Sequence, residues 1–239
     1  MRKESRENFP VALVVLPPAT RRHLRAIYGF ARLVDDAGDD VSGDRGELLD
    51  AIERDLDRVY DGDPQHPLMR RLAATVRELR LPREPFRRLI EANRQDQRVA
   101  RYETFDALAA YCDLSANPVG RLVLHVFGTP TPERVAWSDA VCTGLQLVEH
   151  LQDVGEDLRR RGRIYLPGEE MRRFGVAEGD LERSPPTPAF RDLLAFELER
   201  ARRLLAAGRP LVASLSGRPR LAVAGYVGGG LAAAEAIER

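Results

Sequence analysis

A single all-α domain is what this 239-residue chain predicts, on three observations. Apolar residues recur at spacings of three and four in every patterned stretch. No stretch alternates apolar and polar residues with the period of a strand, and no internal repeat occurs. No Pro-rich or Gly-rich linker divides residues 1–239, so helices must bury their apolar faces against one another.

Residues 8–18, NFPVALVVLPP, are Pro-bounded and too short to span a membrane; they read as a cap laying Phe9, Val11 and Leu13 on the core. A first helix is expected from an N-cap at about Thr20 to Asp40, stopped by Ser42-Gly43. The stretch DRGELLDAIERDLDRVYDG follows, with Leu48, Ile52, Leu56 and Val59 at helical spacing and a Gly stop. HPLMRRLAATVRELRL and PREPFRRLIEANRQD repeat the pattern, each opened by Pro. In TFDALAAYCDLSANPVGRLVLHVFG one helix runs to about Leu114, breaks at Asn117-Pro118 and resumes until Gly128. A long central helix starts near Thr131-Pro132. Residues 166–190 read as loop with short helical turns, and two helices close the chain, around FRDLLAFELERARRLLAAG and RLAVAGYVGGGLAAAEAIER. Each Gly of the run 228–230 weakens a helix by about 1 kcal/mol, so tight packing is expected there. The pattern is still running at Arg239, as in a C-terminally trimmed sequence.

Composition narrows the function. Hydrophobic residues make up 44%, enough for a sizeable core, and 37 basic residues balance 37 acidic ones, so no nucleic-acid surface is indicated. Cys112 and Cys142 lie far apart in helical patterns, which fits buried thiols in a reducing compartment rather than a disulfide framework or zinc site. No run approaches about 18 uninterrupted apolar residues, and MRKESRENFP carries no signal-like apolar segment. A soluble cytoplasmic protein is expected, with peripheral membrane contact left open and oligomeric state unread.

The chemistry sits in two helices. In GLQLVEHLQDVGEDLRRRGRIYLP, residues 144–167, Gln146, Glu149, Asp153 and Asp157 are spaced by three, four and four. At about 100° per residue all four share one stripe. Like charges at i and i+4 cost a helix roughly 0.2–0.5 kcal/mol per pair, so a stripe with three carboxylates calls for cations. A lone D-x-x-x-D is ordinarily a solvated acidic face. Here the first helix repeats the device: Tyr28, Arg32, Asp35 and Asp39 form one stripe, flanked by apolar Ile27, Phe30 and Val34, with Asp36 and Asp40 adding a like-charged pair. Two such stripes suit Mg²⁺, which takes a few carboxylates and completes its shell with water and phosphate. A diphosphate–Mg²⁺ clamp is one reading; a non-catalytic helical protein whose stripes meet a partner's arginines is the other.

Three motifs in order resemble the squalene/phytoene synthase family across nearly the whole chain. Tyr28-x-x-x-Arg32-x-x-Asp35-x-x-x-Asp39 is similar to its first aspartate-rich motif. Gln146 to Asp157, followed by Arg163-x-Tyr165-x-Pro167, is similar to the second, and Tyr111-Cys112 with Gly120 to the segment between them. NFPVA near the start and YCDLSANPVGRLVL at 111–124 resemble the bacterial hydroxysqualene synthases. The resemblance implies an isoprenoid-synthase-type helical bundle around a central cavity.

It also implies roles. Asp35, Asp39, Asp153 and Asp157 would hold Mg²⁺ (or Mn²⁺), with Tyr28 and Tyr111 among the catalytic groups. Arg32, Gln146, Arg163 and Tyr165 would contact a prenyl diphosphate, and Phe9 would plug the core or line the tunnel. Presqualene diphosphate would ionise, its cyclopropylcarbinyl cation would rearrange, and water would trap it. No nicotinamide is expected, although squalene synthases that use one also lack G-x-G-x-x-G. The alternative within the family is condensation of two prenyl diphosphates to presqualene diphosphate, squalene or phytoene. Two positions depart: Glu149 stands where the family usually has Asn, and Gln152 where many relatives have Arg. Glu149 is therefore a candidate metal ligand or substrate contact with a role of its own. His150 reads as a structural neighbour, and the Arg159–Arg163 run as solvated except for Arg163.

Overall fold

The computed structural model describes residues 15–39 and 43–238, and these form a helical bundle. Phe9, Val11, Leu13 and Asp40 lie outside the described residues. The first helix, α1 (Pro18–Asp39), starts two residues earlier than Thr20. Then come α2 (Arg45–Asp61), α3 (Pro67–Leu79), α4 (Glu84–Asp96), α5 (Phe105–Ser115), α6 (Asn117–Val126) and the central α7 (Pro132–Arg161). After it stand α8 (Gly168–Phe174), α9 (Pro188–Ala207), α10 (Arg209–Ser214) and α11 (Gly217–Glu238).

Side-chain caps set several of the starts. Asp44 accepts from Glu47 N at 3.0 Å, Thr104 from Ala107 N at 3.2 Å, Thr131 from Arg134 N at 3.3 Å and Thr187 from Phe190 N at 3.1 Å. Each bond satisfies an amide that a helix start leaves unpaired, worth about 1 kcal/mol. Pro follows Thr at 132 and 188, where its missing N–H costs nothing. α7 ends at Gly162, whose φ of 64° is the left-handed cap, with Arg159, Arg160 and Arg161 complementing the helix dipole in its last turn.

Two apolar clusters carry most of the packing. One joins α1, α2, α3 and α4 to Leu122 of α6, with Phe30 meeting Phe86 edge-on at 5.1 Å. The other gathers α7 and α9 with Tyr102, Tyr111, Ile164, Tyr165 and Leu166. Full burial of one such Leu or Phe contributes about 1.5–3 kcal/mol. Gly120 lets α6 approach α7: a Cβ there would lie 2.4 Å from Ser138 Oγ and 2.5 Å from Cys142 Sγ. In α11 the expected close packing holds at Gly230, where a Cβ would meet Leu145 Cδ2 at 2.4 Å, and not at Gly228, which has open space.

Two expectations fail. A short helix, α10, stands between the two helices expected to close the chain. The sequence predicts no strand, yet Arg101–Tyr102 (β1) pairs in parallel with Ile164–Pro167 (β2), Ile164 N donating to Ala100 O at 3.0 Å. All four β2 residues are buried, so no alternation exists to be read. This short ladder fixes Arg163 and Tyr165 immediately beyond the central helix. Cys112 and Cys142 are both free thiols, the first buried as expected and the second partly exposed.

Candidate active site

Between the two apolar clusters lies a cavity of about 660 Å³. α1 contributes Arg32, Asp35 and Asp39; α4 contributes Leu89, Ala92, Asn93 and Asp96; α5 contributes Tyr111 and Ser115. From α7 come Gln146, Glu149, His150, Gln152, Asp153, Glu156, Asp157, Arg160 and Arg161, and β2 with its approach adds Arg163 and Tyr165. The two acidic stripes therefore share one cavity. Tyr28, one turn before Arg32, is half-buried and is not among the lining residues.

Part of the positive charge that faces the stripes comes from this same chain. Arg163 Nη1 stands 2.7 Å from Asp39 Oδ1 and 3.7 Å from Asp96 Oδ2. Arg161 spans the stripes: Nε is 3.0 Å from Asp39 Oδ2 and Nη1 is 2.7 Å from Asp157 Oδ1. The expectation that only Arg163 of the arginine run matters is thus corrected, because the end of α7 turns Arg160 and Arg161 into the cavity. Arg32 lies along its own helix, 2.7 Å from Asp36 and 3.9 Å from Asp35.

Burial raises Asp35, Asp153 and Asp157. Asp35 keeps 47% of its side-chain surface open, but the concave wall around it dehydrates the charge and pushes its pKa to about 6, against an opposing hydrogen bond from Asn93 and the charge of Arg32. Asp157, with a 10% exposed side chain, is likewise raised to about 6 by burial, opposed by Arg161. Asp153 is raised by burial and by nearby Glu156. Among the described residues no three His, Cys, Asp or Glu side chains converge as a ready metal cage.

A floor of aromatic rings closes one side. His150 stacks on Tyr165 at 4.0 Å and 12°, and Tyr165 on Tyr111 at 5.4 Å. Burial holds the His150 pKa down at about 3, so the ring is neutral, with Gln146 Nε2 3.2 Å from its Nε2. The hydroxyls of Tyr111 and Tyr165 both donate to buried Asp96, at 2.7 and 3.0 Å. Sequence reasoning missed Asp96, Asn93 and Arg161. A signal existed for the first two: Leu89, Asn93 and Asp96, spaced by four and three, put polar groups on the buried face of α4.

The sequence matches the squalene/phytoene synthase family over residues 2–239. The chain belongs to the squalene/phytoene synthase family. It is 38% identical over 212 residues to a hydroxysqualene synthase of Rhodopseudomonas palustris, covering 87% of this chain and 71% of that one. To a hydroxysqualene synthase of Zymomonas mobilis it is 39% identical over 189 residues, covering 74% and 60%, and to a 15-cis-phytoene synthase of Synechocystis 36% over 210, covering 82% and 62%. The chain thus spans less than two thirds of the length of the latter two relatives. Among solved structures, a squalene synthase from Alicyclobacillus acidocaldarius superposes with a TM-score of 0.91 at 42% identity, covering 99% of this chain and 90% of that one. A ligand-bound dehydrosqualene synthase superposes with a TM-score of 0.83 at 27% identity, covering 99% and 80%. The helical fold with a cavity at its centre is that of the family. No described helix is long and apolar enough to cross a membrane.

Proposed function

We propose that this family member ionises presqualene diphosphate and lets water trap the cation, giving hydroxysqualene and diphosphate. The observation that carries the reading is the pair of aspartate stripes facing one cavity, with arginines between them and aromatic rings on one wall. Similarity to two hydroxysqualene synthases supports the choice of reaction.

The donor set suits Mg²⁺ or Mn²⁺. Asp35 and Asp157, raised toward neutrality by dehydration, gain most from a nearby cation, and a metal that shares its shell with phosphate needs no complete protein cage. Asp35, Asp39, Asp153 and Asp157 would hold it, with Glu149 in reach of the same cavity, and it would offset the charge gathering on the departing diphosphate.

The chain's own residues do the rest. Arg32, Arg161 and Arg163 present guanidinium donors to diphosphate oxygens. The carbon–oxygen bond breaks with its electron pair leaving on diphosphate, and the cyclopropylcarbinyl cation left behind rearranges with opening of its ring. Leu89, Ala92, Tyr111, Tyr165 and neutral His150 line the side where the cation is shielded from bulk water. A water lone pair then forms the new carbon–oxygen bond, and the released diphosphate takes the proton. No hydride donor enters this sequence.

A second reading, head-to-head condensation of two prenyl diphosphates, is favoured by the phytoene synthase relative and by the squalene synthase neighbour. Incubating the purified chain with presqualene diphosphate, and separately with farnesyl diphosphate, distinguishes them by mass spectrometry. Hydroxysqualene from the first substrate supports the proposal. Presqualene diphosphate or a hydrocarbon from the second, with no alcohol from the first, supports the alternative.

A further inference from the structure

Both oxygens of Asp39 are held by guanidinium groups, Oδ1 by Arg163 and Oδ2 by Arg161, and Arg161 also holds Asp157 Oδ1. Asp39 and Asp157 are 21% and 10% exposed, so each needs a positive neighbour in the free protein. The two arginines differ in freedom. Arg163 is buried at 6% exposure beside Asp96 and is tied to the β2 ladder. Arg161 is 30% exposed and is the last residue of α7, immediately before Gly162.

We propose that Arg161 is a removable internal counter-ion: it joins Asp39 to Asp157 while the site holds no ligand and leaves them when a divalent cation and diphosphate arrive, so that it sets the cation concentration the site needs. The inference rests on the diphosphate-site reading above. A guanidinium and a divalent cation compete for the same carboxylate oxygens, and placed side by side they repel. Only the Arg161 side chain has to move. Its stem already reaches solvent, and its planar donors suit the oxygens of the arriving diphosphate. A permanent counter-ion would be buried and braced, as Arg163 is.

The test uses the full chain and inorganic diphosphate, which cannot ionise to a carbocation. Thermal melting is followed against Mg²⁺ concentration, with and without inorganic diphosphate, for wild type, Arg161→Gln, Arg161→Lys and Arg159→Gln. Arg159 is exposed on the same helix end, so its variant removes equal charge without touching Asp39 or Asp157. Arg161→Gln should melt lower than wild type without ligand, and its half-saturating Mg²⁺ should fall about three- to tenfold, as expected for loss of two partly exposed ion pairs. Arg161→Lys, which cannot span both carboxylates, should fall between them, and Arg159→Gln should keep the wild-type threshold. An unchanged or higher Mg²⁺ requirement in both Arg161 variants would overturn the counter-ion role and leave the diphosphate site intact. No ligand-induced shift in wild type would overturn the site reading, and this inference with it.

Discussion

Arg163 Nη1 donates to Asp39 Oδ1 at 2.7 Å, joining residues 124 positions apart and tying the end of α1 to the segment that follows α7. Arg163 also faces Asp96, whose carboxylate receives both tyrosine hydroxyls. Substituting Arg163→Gln should therefore loosen the aspartate clamp and the aromatic floor together. Removing one partner of a buried pair costs about 3–5 kcal/mol, and the lower end applies because Asp39 keeps Arg161. Urea unfolding measures the loss; a variant within 1 kcal/mol of wild type, an order-of-magnitude bound for exposed pairs, would show the tie to be dispensable.

The two aspartates of the first stripe should separate when each is changed to Asn. Both Asp35→Asn and Asp39→Asn should lose turnover by about a hundredfold or more, the scale for removing one electrostatic stabiliser. Without ligand, Asp35→Asn should melt at or above wild type, because burial already disfavours its charge and an amide oxygen can still accept from Asn93. Asp39→Asn should melt lower, since it leaves Arg161 and Arg163 short of a counter-charge. Relief of like-charge repulsion alone would predict that both rise, so equal shifts would reject the structural account.

Glu149 lines the cavity one turn before Asp153, and its carboxylate admits three roles. As a metal ligand, its replacement by Gln should move the activity curve to higher Mg²⁺. As a source of negative charge only, Glu149→Asn should leave that curve in place or move it lower. If the carboxylate instead orients the trapping water, the Gln variant should still consume presqualene diphosphate but yield rearranged or eliminated hydrocarbons. Mg²⁺ titration with product analysis on one variant separates the three, and no change in either would remove Glu149 from the site.

Away from the cavity, Glu170 of α8 and Glu197 of α9 are 6% and 2% exposed and share one guanidinium, that of Arg200. Burial and the neighbouring Glu170 raise the Glu197 pKa to about 8, opposed by Arg200. A carboxyl that binds its proton more tightly folded than unfolded stabilises the fold at low pH. That contribution is lost as pH rises from the unfolded value near 4.5 through about 8. Glu197→Gln keeps the protonated shape at every pH. Its melting temperature should fall less steeply than that of wild type between pH 5.5 and 8, on the order of that window. Parallel melting curves would mean that Glu197 takes up no extra proton on folding in this range.

Much of this was legible in one dimension. The helices around Leu48, Ile52, Leu56 and Val59, or from Thr131-Pro132 onward, follow from spacing and capping chemistry that act within a few residues. The stripes containing Asp35, Asp39, Asp153 and Asp157 were equally local, because 3.6 residues per turn fixes which side chains share a face. What no spacing could decide was the partner across the cavity. Arg161 reads as one solvated arginine in a run, Asp96 as the last residue of a helical stretch, and Leu166–Pro167 as the start of a loop. Each acquires its role from a group far away in the chain: Arg161 from Asp39, Asp96 from Tyr165, and β2 from β1. Helical periodicity is a property of neighbouring residues, whereas compensation of a buried charge depends on which distant group the packing brings within hydrogen-bond reach.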